Sequence, residues 1–155
     1  SLMKHLELRD VQFAELTLHT GVGNFRDIEV EDLTKHKTDS EEMEITQETC
    51  DIINTAKSQR NKIFAVGTTS LKALETSVTI SGQINPFKGW TNKFIFPHYD
   101  FNTADALITN FHLPKSSMMM EVAAFAGYDL LMKAYKTAVA EKYQFFTYGD
   151  AMLIL

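Results

Sequence analysis

The order of strands and helices along this chain predicts an α/β protein with a mixed, largely parallel sheet and flanking helices. Two observations lead there. Residues 62–74 and 104–127 each run from a short apolar strand through a polar bend into a helix, the unit from which parallel sheets are wound. Residues 129–143 then hold a helical stripe of Leu131, Tyr135, Ala138 and Lys142, widened by Leu130, Ala134 and Val139.

Each element follows from its residues. Reading starts at Met3, with Ser1 and Leu2 set aside as additions ahead of it. Residues 11–18 alternate loosely through Val11, Phe13, Leu16 and Leu18, which predicts a strand ending at His19-Thr20-Gly21-Val22-Gly23. Residues 41–45 fit a second short strand. Thr46 is placed to cap a helix reaching about residue 59, with acids in its first turn and Ile53 and Ala56 inward. The apolar, β-rich residues 62–66 break at Gly67-Thr68-Thr69-Ser70 and lead into a helix carrying Leu71 and Leu74. Ser81-Gly82, Asn85-Pro86 and Lys88-Gly89 make residues 76–91 a long connection. The run 106–108 predicts a buried strand, and residues 109–117 a polar, kinked segment ending at a helix N-cap, Ser116 or Ser117. Asp129 is placed to cap the last helix. A strand at 145–147, a Tyr148-Gly149-Asp150 turn and a strand at 151–155 close the chain.

A chain of 155 residues with 45% apolar and 23% charged side chains has an ordinary soluble composition and is long enough for one real core. No apolar run approaches the roughly 18–20 residues that span a bilayer, and no basic-then-apolar leader is present, so no membrane partner is expected. The lone Cys50 excludes an internal disulfide and suits a reducing cytoplasm; in a predicted helix it reads as a small buried apolar residue. The net charge of −5 argues against general nucleic-acid binding through a basic surface, while leaving room for a local basic rim. Lys88 and Lys93 are candidates for phosphate contact, with solvated surface the safer expectation. His5, His19, His36, His98 and His112 show no metal-binding spacing, so no metal site is expected.

Both strand–bend–helix junctions carry groups that a plain connection does not need. The first offers Thr68, Thr69 and Ser70; the second offers Thr109, Asn110, His112, Lys115 and Ser116. A fresh helix N-terminus presents open N–H groups and partial positive charge, so hydroxyls beside it suit a carboxylate, a phosphate or a ribose. Capping alone accounts for the hydroxyls as simply. In one parallel sheet the two bends converge at its carboxyl edge, where ligands sit. The site reading therefore depends on the bends near residues 68 and 112 sharing one pocket. The first bend lacks the spacing of a P-loop, and Gly21-Val22-Gly23 lacks the third glycine of a dinucleotide fingerprint and reads as a tight turn. His19 stands at a strand end, suited to titration or to a plain structural hydrogen bond. Tyr148 and Asp150 suit the rim of a cleft, and hairpin chemistry explains them as readily. Met118-Met119-Met120 reads as core packing, with one methionine also suited to an adenine or thioether pocket.

The wording of these segments resembles that of the S-adenosylmethionine:tRNA ribosyltransferase-isomerases, the queuosine-biosynthesis enzymes that modify the wobble base of certain tRNAs. Thr109-Asn110-Phe111-His112-Leu113-Pro114-Lys115-Ser116 is similar to that family's Thr-Asn-Phe-His-Leu-Pro-[Lys/Arg]-Ser. Thr17-Leu18-His19-Thr20-Gly21-Val22-Gly23-Asn24-Phe25 resembles its Thr-Leu-His-Val-Gly-x-Gly-Thr-Phe, and Ala65-Val66-Gly67-Thr68-Thr69-Ser70 matches its Ala-Val-Gly-Thr-Thr-Ser. Gly89-Trp90-Thr91 with Phe94-Ile95 follows its Gly-Trp-Thr-x-x-Phe-Ile, and Tyr148-Gly149-Asp150-Ala151-Met152 is similar to its closing Tyr-Gly-Asp-Ala-Met.

The resemblance implies that residues 3–155 are the C-terminal portion of the main α/β catalytic domain of a larger two-domain enzyme. The upstream part and a small β-barrel domain would lie outside the chain, which alone is expected to be inactive. The implied reaction moves the ribosyl part of S-adenosylmethionine onto 7-aminomethyl-7-deazaguanine in tRNA, releasing adenine and methionine and leaving epoxyqueuosine. S-adenosylmethionine is then a substrate, with no separate cofactor; tRNA is the partner and the cytoplasm the place of work. A base must take a proton from the carbon beside the sulfonium, and adenine must leave, helped by a proton donor. His19, His112 and Asp150 are the candidate catalytic groups. Thr68, Thr69 and Ser70 would hold the methionine carboxylate or ribose, and Thr109, Asn110, Lys115, Ser116 and Tyr148 the remaining substrate. The chain departs from the family's wording at Asp39, where a His is usual; at Lys72, usually Arg; at His98, usually Gly; and at Glu121, usually apolar. The Asp39 change motivates a second reading: a diverged member that binds RNA or a nucleoside without the transfer.

Overall fold

The computed structural model describes residues 1–155. Strand β2 (Glu41–Ile45) alternates its side chains, turning Glu41, Met43 and Ile45 inward. It is the centre of an antiparallel sheet, with β1 (Thr17–Leu18) on one edge and β4 (Phe87–Thr91) on the other; Met43 lies opposite both Leu18 and Gly89. In the second sheet, β5 (Ala106–Asn110) is central, parallel to β3 (Phe64–Val66) and antiparallel to β6 (Ala151–Ile154). The helices are α1 (Leu2–Glu7), α2 (Gln47–Ser58), α3 (Thr68–Ser77), α4 (Ser117–Ala126) and α5 (Tyr128–Ala140). This is an α/β architecture. It is not largely parallel, because β3 and β5 form its one parallel pair.

The core fills the space around α3. Met43 and Ile45 from β2, Cys50 and Ile53 from α2, Leu107 from β5, Val122 from α4 and Leu131 from α5 close on Leu71 and Leu74. Residues 71–75 of α3 are all buried, so this helix has almost no solvent face. Such burial calls for apolar side chains all round. Yet Lys72 is 7% exposed and Glu75 1%. Buried charges persist only with partners, and those partners shape the site described below.

Where the structure differs from the sequence reading, the cause is tertiary. The strand expected over residues 11–18 shrinks to Thr17–Leu18, because β2 offers it a partner only at Glu44 and Met43 before the chain turns into α2. The residues ahead are held instead by the Thr49 hydroxyl, which donates to the Glu15 carbonyl. The connection expected over residues 76–91 conceals β4: Gly89 is no turn but a strand residue opposite Met43. Thr109 and Asn110 extend β5 and do not begin the bend. The last helix is capped by Gly127, not Asp129, and ends at Ala140; Leu130 and Val139 are 59% and 79% exposed. Residues 145–147 form no strand. Helix α1 begins at Leu2, ahead of Met3.

The face of the second sheet turned away from α3 is different in kind. Val66, Ile108 and Leu153 lie in one register row on it, and Val66 and Leu153 are well exposed, as is Phe64 beside them. No helix of the chain is long and apolar enough to cross a membrane. No group of three or more His, Cys, Asp or Glu is arranged to hold a metal ion.

Candidate functional site

The parallel pair places the two helix entrances side by side. Val66 is in register with Ile108, and the Gly67 N–H donates to the Ile108 carbonyl at 2.8 Å. Gly67 then turns the chain with φ 93° and ψ 144°, a conformation open essentially to glycine alone, and α3 starts at the next residue. No side chain caps α3, so its first-turn N–H groups are left open. Helix α4, by contrast, is capped by Ser116, whose Oγ accepts from the Met119 N–H at 3.1 Å and donates to the Leu113 carbonyl at 2.7 Å.

A narrow cleft lies between the two helices. Thr68, Thr69 and Lys72 line it from α3; Ser117, Met118 and Glu121 line it from α4; Asn24, Thr38, Lys93, Phe94 and Ile95 complete the wall. Thr68 with Lys72, and Ser117 with Glu121, are i, i+4 pairs, so each helix presents one polar stripe to the other. The cleft is partly open and leaves about 10 Å³ for a water-sized group, the size of a single water site.

Behind the cleft runs a buried charge network. Lys72 Nζ donates to Glu41 Oε2 at 2.5 Å, with side-chain exposures of 9% and 3%. Glu41 Oε1 accepts from the Gly21 N–H at 2.8 Å and from Asn24 Nδ2 at 2.6 Å, and Asn24 Oδ1 accepts from the Ser117 hydroxyl at 3.3 Å. Glu75 is satisfied separately by the Asn102 and Thr103 N–H groups, the Thr103 hydroxyl and Tyr99. Tyr99 in turn accepts from Lys93 at 3.1 Å. Glu121 is the exception. It is 4% exposed and its Oε1 has no partner. Burial, with Glu41 and Glu75 adding to it and Lys72 opposing, pushes its carboxyl up to about 8.

The candidate residues divide between this cleft and other places. Thr68 and Thr69 line it; Ser70 is half-buried one step further along α3, outside the lining. Ser116 is buried as the α4 cap, and its neighbour Ser117 reaches the cleft. His112 does not reach it. Its Nε2 bonds the Thr109 hydroxyl at 2.7 Å, and its backbone N–H donates to the Tyr135 hydroxyl of α5 at 2.7 Å. Burial lowers the His112 imidazole to about 4. Asn110 Nδ2 donates to the carbonyls of Gly149 and Asp150, tying β5 to the turn before β6. Lys115 is exposed at φ 61°, and its carbonyl accepts from the Ile28 N–H. Tyr148 is 97% exposed, and Asp150 accepts from the Gln144 N–H at 2.7 Å across its own turn. His19 is exposed at the end of β1, two residues before Gly21 joins the Glu41 network. Of the second bend only Ser117 reaches the cleft beside Thr68 and Thr69; Thr109, Asn110, His112, Lys115 and Ser116 lie outside its lining, His112 being bonded to Thr109 and to Tyr135 of α5. Glu41 and Asn24 escaped the sequence reading. A lone acid at 121, four residues past a serine in an otherwise apolar helix, was the available signal.

The sequence profile described as queuosine biosynthesis protein matches residues 1–154. The chain belongs to that family. The S-adenosylmethionine:tRNA ribosyltransferase-isomerase of Flavobacterium psychrophilum is 59% identical over 154 residues, covering 99% of this chain and 44% of the relative. That of Parabacteroides distasonis is 56% identical with the same coverage. The crystal structure of the S-adenosylmethionine tRNA ribosyltransferase of Thermotoga maritima superposes with a TM-score of 0.81 at 40% identity, covering 99% of this chain and 48% of that one. The chain therefore spans about half the length of the curated relatives it matches.

Proposed function

We infer that this chain carries part of the active site of an S-adenosylmethionine:tRNA ribosyltransferase-isomerase. In this reading the enzyme, working in the cytoplasm, moves the ribosyl moiety of S-adenosylmethionine onto 7-aminomethyl-7-deazaguanine in tRNA and leaves epoxyqueuosine. The observation that carries it is the cleft where two helices begin beside a parallel strand pair, lined by Thr68, Thr69, Ser117 and Lys72. Open N–H groups and hydroxyls suit the carboxylate or ribose of the substrate. S-adenosylmethionine is consumed, so its sulfonium supplies the activation and no further cofactor is invoked. Burial holds His112 neutral at physiological pH and makes it a weak base, and its Nε2 is already bonded to the Thr109 hydroxyl, so it is the weaker candidate for the proton-abstracting group. His19, exposed near the Gly21 end of the network, is the alternative proton carrier.

A second reading rests on Asp39. Its carboxylate stands against Gly23, with Arg26 at 3.8 Å, and a carboxyl group, unlike an imidazole, has no cationic form. A member that binds RNA or a nucleoside without transferring ribose would tolerate it. Incubating a full-length enzyme carrying this segment with labelled S-adenosylmethionine and tRNA bearing the precursor base separates the two. Adenine release supports the transfer, retention of RNA without release supports the second reading, and neither outcome refutes both.

A further inference from the structure

We propose that the cleft between α3 and α4 is a subsite for the terminal carboxylate of a small molecule, in which Glu121 keeps its proton and donates a hydrogen bond to the ligand. The proposal deepens the reading above, where that carboxylate is the amino-acid end of S-adenosylmethionine.

The donors are in place from three directions. The uncapped first turn of α3 offers backbone N–H groups, Thr68 and Thr69 offer hydroxyls, and Glu121 approaches from α4. Glu121 is the independent sign of a ligand: a carboxyl 96% removed from solvent, lining the cleft, with Oε1 unpartnered although Lys72 lines the same wall. The one hydrogen bond the Lys72 ammonium makes goes to Glu41 at 2.5 Å, and its charge opposes the rise at Glu121 without cancelling it. An ionised Glu121 would be a third buried acid beside Glu41 and Glu75, set against the buried Lys72 and the half-buried Lys93. The charged and titratable groups around it are Lys72 and Glu75 from α3, Glu41 from β2, and Lys93 and Tyr99 from the β4–β5 connection. Their balance, added to burial, leaves Glu121 with its proton at neutral pH. A buried O–H without an acceptor is costly, and an anionic oxygen in the cleft would relieve it.

Size selects the class of anion. The cleft leaves room of about 10 Å³ for a water-sized group, enough for one oxygen. A phosphodiester flanked by two sugars cannot enter it. A carboxylate at the end of an aliphatic arm can place one oxygen there while the rest of the molecule stays at the mouth.

The test uses a full-length enzyme carrying this segment, with formate and S-adenosylmethionine as separate probes, titrated calorimetrically at pH values on both sides of about 8. Formate has no amino group, so its profile reports the protein alone. Wild-type affinity is expected to hold on the acid side and to fall about tenfold for each pH unit above the Glu121 value. Glu121→Gln keeps an N–H donor and should bind at neutral pH as wild type does, without the alkaline fall. Glu121→Leu, which removes the donor, should bind about tenfold more weakly. A flat wild-type profile, or wild-type affinity in Glu121→Leu, overturns the subsite and leaves a trapped water as the acid's partner. Formate binding with the expected profile but no adenine release would sustain the subsite and refute the transferase. Normal adenine release with a flat formate profile would do the reverse.

Discussion

Replacing Lys72 with methionine isolates the electrostatic support of the fold. Methionine keeps most of the apolar stem, so little packing is lost, while the ammonium that donates to Glu41 at 2.5 Å disappears. Glu41 is 3% exposed and cannot recover water in its place. Removing one member of a buried pair typically costs about 3–5 kcal/mol, because the other charge is stranded. Glu41 would retain two of its three donors, the Gly21 N–H and Asn24 Nδ2, which places the expected loss at the lower end, about 3 kcal/mol. Equilibrium urea unfolding followed by circular dichroism measures it. High salt should leave the loss unchanged, since a buried pair is little screened. The double variant Glu41→Gln with Lys72→Met should return to within about 1 kcal/mol of wild type, because no charge is then stranded. A Lys72→Met loss below about 1 kcal/mol would be the behaviour of a hydrated surface pair and would refute the reasoning.

Two further outcomes follow from local geometry. Gly67→Ala should destabilise by about 1–3 kcal/mol through backbone strain at φ 93°, not through collision, since an added Cβ would meet Thr69 Oγ1 at an ordinary 3.5 Å; thermal unfolding measures this, and a neutral result would mean the α3 entrance is not fixed in this conformation. His112 should give the protein an acid-sensitive limb. Its folded value of about 4 lies below the ordinary 6.5, so the unfolded chain takes the proton more readily between the two. The contribution is therefore complete above about 6.5 and is lost as pH falls toward about 4, a difference of roughly 3 kcal/mol. His112→Gln should flatten that limb in urea midpoints measured across the range; an unchanged profile would show that the ring is already hydrated in the native state.

Much of the frame was legible because it is local. Thr46 and Ser116 cap their helices by accepting from an N–H of the first turn, as their residue types favour; strands β3 and β5 carry their apolar residues in short runs, and β2 alternates Met43 and Ile45 with acids. Strand β4 was hidden because Lys88 and Gly89 carry turn chemistry, and only its partner β2 makes them a strand. The length of β1 was hidden for the same reason in reverse: alternation persisted where no partner existed. The charge network was the least readable part. Glu41 and Lys72 meet across 31 positions, and lysines and glutamates are read as solvent-facing unless something pairs them. His112 stands in the most suggestive segment of the chain, yet its backbone is tied to Tyr135 of α5, 23 positions away and outside the motif, and its ring to Thr109 within it.

The bare side of the second sheet bears on how any such measurement is made. Phe64, Val66 and Leu153 form a greasy ribbon that water tolerates poorly. Two copies of the isolated chain can each hide it against the other, which couples folding to self-association, so unfolding midpoints should be read against protein concentration before they are assigned to a single molecule.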